Sequence, residues 1–303
     1  MKLKSYTAAP ILAALVYLLT LCASPLIARL DMDVNAYLLA AGGIQIATYL
    51  LPLVLYGLLF SQVSVKRMRF SLPTAVSIPL QILLGCILLL GTSLLSMLLE
   101  RVGFLLPSDN RLVGAGAPNL LLLLVFAILP ALCEELIFRG VILSSFEPCG
   151  TAPAIVGSAL LFAFAHMSLE KLPIYFLAGV VLAFAVYVSR SLFAAMLLHA
   201  VYNVATLVLG EYLSGVAAHL ESFALLFIVM LFVLWILVLL ALAEGSRVYG
   251  VYAERKLDSS YTPQKLTRTQ RLKGRVSVYF SVPFLLCALL YIAVIVFSLQ
   301  NIT

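Results

Sequence analysis

Polar positions along this chain are brief punctuation between long, unbroken apolar runs. The runs predict nine helices, over about 8–28, 36–60, 75–99, 119–145, 153–168, 172–189, 191–209, 223–243 and 277–298. Each approaches the roughly 20 residues that a bilayer core requires. The fifth is short and the fourth long, so tilting or a partly re-entrant path is expected there. The runs lack the short alternating segments of a transmembrane barrel. A helix also satisfies its own backbone hydrogen bonds in lipid. The expected fold is all-α, a polytopic integral membrane helical bundle of an eight-helix body plus one C-terminal helix.

Three units follow. Residues 1–243 form the membrane-embedded body, with its chemically interesting core at about 119–209. Residues 244–276 form a basic polar linker, and 277–303 hold the last transmembrane helix. Lys2, Lys4 and the apolar stretch after them resemble a signal peptide, but the apolar run continues to about Ala28, longer than a usual signal core. An uncleaved first helix is the better reading.

Composition agrees. Hydrophobic residues make up 64% of the chain and charged residues 11%, more apolar surface than a soluble domain can hide. The net charge of +6 comes from Lys and Arg in loops, which points to an anionic membrane face and not to nucleic acid. With the N-terminus in the cytoplasm, Lys2, Lys4, Lys66, Arg67, Arg69, Arg190, Arg247 and the seven basic residues from Arg255 to Arg275 fall inside. Only Arg29, Arg101, Arg111 and Lys171 fall outside. Fourteen against four sets the N-terminus inside and the C-terminus outside. The 244–276 segment reads as a linker lying near anionic lipid, or as a docking segment for another membrane protein. Cys22, Cys86, Cys133, Cys149 and Cys287 show no CxxC spacing and read as small buried hydrophobes. The Asn301–Thr303 sequon, at the very end of the chain, carries little meaning.

Charges at mid-bilayer cost from about 3 to over 10 kcal/mol, so they survive where they face a wet cavity or find partners. Three segments carry such groups. In PALCEELIFRG, Glu135 and Arg139 are four apart and share a helix face, acid before base. Adjacent Glu134 points about 100° away and is left available. In LFAFAHMS, Phe162 and His166 are four apart; in LLHAVYNVA, so are His199 and Asn203. At about 1.5 Å per residue, the glutamates, His166 and His199 lie roughly 15, 20 and 12 Å below the cytoplasmic ends of their helices. That agreement predicts one cavity, opening toward the cytoplasm. His219 falls in an outer loop and reads as an ordinary surface histidine.

These three motifs, EExxxR, FxxxH and HxxxN, in this order and spacing, resemble those of the CAAX protease and bacteriocin-processing family of intramembrane glutamate endopeptidases. The resemblance covers roughly 119–209. It implies a helical membrane fold with a sunken site in which Glu134 and His166 activate a water. It further implies that His199 and Asn203 form an oxyanion hole, with Glu135 and Arg139 as supporting residues. No cofactor and no metal are implied. The implied partner is a peptide or protein substrate reached from the bilayer or its cytoplasmic leaflet, in a bacterial cytoplasmic membrane. The chemistry is reasonable by itself: a desolvated carboxylate is a stronger base, and imidazole and amide N–H groups suit an oxyanion. Cys133 precedes Glu134 and points elsewhere on the helix, so it is a poor nucleophile.

Three other readings use the same residues. Two histidines and a glutamate suit a zinc metalloprotease, although HExxH is missing. Buried Glu and His suit a proton-coupled transporter. A non-catalytic scaffold for another membrane protein would tolerate Glu134→Gln, which an enzyme would not.

Overall fold

The computed structural model describes residues 5–28, 32–60, 68–104, 120–218, 223–254 and 267–300. His219, the basic residues from Arg255 to Lys265 and the terminal sequon lie outside the described residues. The described residues are helical apart from short connections, and no strand occurs among them. In chain order the helices are α1 (Ser5–Ala28), α2 (Val34–Leu59), α3 (Ile78–Arg101), α4 (Leu120–Cys149), α5 (Thr151–Ala165), α6 (Leu172–Ser189), α7 (Leu192–Ala218), α8 (Phe223–Glu254), α9 (Arg268–Tyr279) and α10 (Val282–Gln300). Among the described residues six helices are long and apolar enough to cross a membrane, and shorter apolar stretches occupy 7–23, 151–165 and 192–208. The chain is an all-α integral membrane protein.

Four helices, α4 to α7, carry the polar groups, and small residues let them approach. A Cβ on Gly179 of α6 would lie 2.9 Å from Ala159 Cα of α5, so these two backbones are in direct contact. α1 and α10 brace the bundle from one side: the Tyr17 hydroxyl donates to the Leu161 carbonyl, and Cys287 Sγ donates to the Pro10 carbonyl at 3.3 Å. α8 lies outermost, with Ile228, Phe232 and Trp235 exposed where lipid would surround them.

Between α2 and α3, Met68–Thr74 forms a strap across the ends of α4, α6 and α7. Arg69 has positive φ (55°) and pairs with Glu147 at 2.8 Å, both side chains buried. The Leu192 amide donates to the Arg69 carbonyl at 2.9 Å, and the Ser71 hydroxyl donates to the Arg190 carbonyl at 2.8 Å. Met68 Cε sits where a Cβ on Gly140 would project, 2.9 Å away.

Three expectations need correction. The predicted helix over 153–168 ends at Ala165, because the chain must turn within 166–171 before Pro173 opens α6; His166 caps α5 instead of lying inside it. The 244–276 linker is largely helical where described. α8 runs ten residues past 244, and α9 starts at a capping box in which Thr267 and Gln270 satisfy each other's backbone amides. The last predicted helix, 277–298, is two helices. Val278 closes α9 in the core, and the Ser281 hydroxyl accepts from the Phe284 amide to start α10, with Pro283 in its first turn. A search for apolar runs passes over α9, whose helicity rests on its cap and on Gly274 seated against the Cys149 backbone.

Candidate active site

α4 departs twice from the α ladder. Residues Leu124–Ile128 and Leu136–Leu143 are π-helical, and Leu129–Glu135 between them is ordinary α-helix. Pro130 accounts for the first widening, since it brings no N–H to the ladder. The loosened carbonyls find side-chain donors. Asn203 Nδ2 donates to the Ala127 carbonyl at 3.3 Å, Ser158 Oγ to Phe138 at 2.7 Å and Ser144 Oγ to Gly140 at 2.5 Å. Both glutamates stand on the short α segment framed by the π turns, a distortion that recurs at functional sites.

Glu135 is fully committed at one oxygen. Its Oε1 accepts from Arg139 Nη1 at 2.7 Å and lies 2.9 Å from His199 Nδ1. The carboxylate can only accept, so Nδ1 carries the proton and Nε2 of His199 is the free edge of the ring. Arg139 also donates to the Gly179 carbonyl at 3.1 Å, and its guanidinium lies 4.3 Å over the Phe162 ring. The close α5–α6 contact brings that carbonyl within reach. A buried charge pair of this kind is held by such additional partners.

Glu134 is placed differently. Its Oε2 is buried without a hydrogen-bond partner and lies 3.9 Å from His166 Nε2, too far for a direct bond. His166 Nδ1 lies 2.9 Å from the Phe162 carbonyl, which can only accept, so Nδ1 is the protonated nitrogen and the Nε2 lone pair faces Glu134. Tyr175 stacks on the His166 ring at 3.7 Å between centroids, and the Tyr49 hydroxyl faces Glu134 from α2. Phe162 separates the two histidines, 4.8 Å from His166 and 5.9 Å from His199.

The structure therefore gathers Glu134, Glu135, Arg139, Phe162, His166 and His199 around one ring. Asn203 stands one turn beyond His199 on α7, where its amide is engaged by α4. Tyr49 and Tyr175 also belong to this surround. No motif spacing marks them, because they reach the site from other helices. Cys133 is buried in the apolar core.

Among the described residues no group of three or more His, Cys, Asp or Glu side chains is placed to hold a metal ion.

A polytopic helical bundle with paired carboxylates and histidines inside the membrane narrows the class to membrane proteins with buried acid–base chemistry. Residues 116–205 match the family model of the Rce1-like, type II CAAX prenyl endopeptidases. The matched segment is under a third of the chain and covers the stretch whose motifs resemble the CAAX protease and bacteriocin-processing family. No curated protein and no solved structure matches the chain.

Proposed function

We propose that this protein is an intramembrane glutamate endopeptidase that hydrolyses a peptide bond of a membrane-associated peptide or protein, in a bacterial cytoplasmic membrane. The supporting observation is the 3.9 Å gap between Glu134 Oε2 and His166 Nε2. Two acceptors face each other there, and one water can donate to both. Glu134 takes a proton as that water attacks the scissile carbonyl carbon. The proton then passes to the leaving amine, with His166 orienting the water and sharing the proton. His199 and Asn203, on one face of α7, donate to the oxyanion. To do so from Nε2 while Nδ1 still holds Glu135, the His199 ring must carry both protons. Glu135 and Arg139 are positioning residues.

The test is cleavage of a quenched peptide library by the purified protein and its Glu134→Gln, His166→Ala and His199→Ala variants. Loss of cleavage in all three, with the helical fold intact by circular dichroism, is the expected result. Undiminished cleavage in all three would end the reading.

A further inference from the structure

Burial around the site is not symmetric along the membrane normal. On the side of the glutamates toward the strap, α4 is sealed: Ile137 to Ser145 are all buried, and Met68 and Leu192 close over Gly140. The strap is stitched at Arg69, Ser71 and Ser191 to three different helix ends. On the opposite side of the same groups, burial relaxes. The His166 side chain is 22% exposed, and Met167, Ser168, Tyr175, Tyr202 and Asn203 are all half-buried. The α5–α6 turn that begins at His166 continues to exposed Glu170. It is anchored from α10, where the Tyr291 hydroxyl donates to the Ser168 carbonyl at 3.1 Å.

The sealed end is the end that carries Arg69, Arg190, Arg247 and α9, the basic and hence cytoplasmic side. We infer that the site is reached from the non-cytoplasmic side, past the α5–α6 turn, and that its partner is a polypeptide segment presented in that half of the membrane. This reverses the cytoplasmic opening expected from helix depth. Depth measures how far a group lies from a loop, but not which way its surroundings open. A segment confined to the cytoplasmic leaflet stays behind the strap. The side of access rests on burial and charge alone; that the partner is a substrate rests on the proteolytic reading.

The experiment separates the two. Cys22 and Cys86, expected from their apolar surroundings to be buried, are exposed and are replaced by serine, and the three buried native cysteines are kept. Single cysteines are then placed at Glu170, at Tyr175 against His166, at buried Ser144 and at exposed Thr269 on α9. A membrane-impermeant maleimide is applied to intact spheroplasts and to inverted vesicles. Glu170→Cys and Tyr175→Cys are expected to label at least tenfold faster in spheroplasts, Thr269→Cys at least tenfold faster in inverted vesicles, and Ser144→Cys in neither. Labelling of Tyr175→Cys mainly in inverted vesicles, or in neither preparation, overturns the inference, as does labelling of Thr269→Cys in spheroplasts. A membrane-impermeant quenched peptide library, presented to each face of the unmodified protein, supplies the second arm. Glu134-dependent cleavage only at the cytoplasmic face overturns the side of access and leaves proteolysis standing. Cleavage at neither face, with the expected labelling, removes proteolysis and leaves the opening.

Discussion

Glu134 and Glu135 are consecutive residues on one helix, yet they occupy different chemical worlds. Glu135 looks into the α4–α7 core, where an arginine and a histidine meet at one of its oxygens. Glu134 looks toward α2 and the end of α5, where its Oε2 has no partner and an imidazole lone pair waits 3.9 Å off. The backbone supplies the division, since neighbouring side chains on a helix diverge by about 100°. Glu135 Oε2 is also buried without a hydrogen-bond partner; the difference is that Glu135 Oε1 is pinned by two donors, whereas Glu134 Oε2 faces another acceptor and is poised to bind something that donates to both. The same contrast runs along α4, from the end stitched to the strap to the looser half beyond Pro130.

That contrast can be broken at either glutamate. On the proposed reading Glu134→Gln removes the base while the contacts of Glu135 with Arg139 and His199 stay in place, so peptide cleavage is expected to fall about 10²–10⁴-fold with an unchanged melting temperature. A drop in stability as large as the drop in rate would show that Glu134 is structural after all. Arg139→Met does the opposite: it strands Glu135 in the core, and a cost of about 3–5 kcal/mol is expected in reversible unfolding in detergent micelles. Asn203→Ala probes the donor role and should lower turnover by about 10²–10³-fold while binding of uncleaved peptide is retained. Gly179→Ala pushes α5 off α6 and away from Arg139, at about 1–3 kcal/mol by the same unfolding assay. Gly43→Ala, where nothing lies within 4 Å of the new methyl, should be near neutral and serves as its control. Tyr291→Phe is the mildest, about 1 kcal/mol, through loss of its bond to the turn at Ser168.

Much of this was legible before any coordinates. The apolar runs marked the membrane helices because lipid leaves the backbone little choice, and helical spacing alone put Glu135 with Arg139 and set Glu134 apart. The meeting of Glu135 with His199 was not legible, because it joins side chains 64 positions apart. Helix α9 was missed because its signal is a capping box in polar sequence, not hydropathy.

What the chain by itself determined was local: a helix where solvation demands one, a face where the period of 3.6 repeats, a side of the membrane where basic residues collect. Only the tertiary structure decided which face met which. Pro130 and the π turns rotate α4 relative to an ideal helix, Gly179 sets how near α6 can come, and the strap closes one end. Each of these is a contact between distant segments, and the free energy of such a contact depends on atoms that no single stretch of sequence contains.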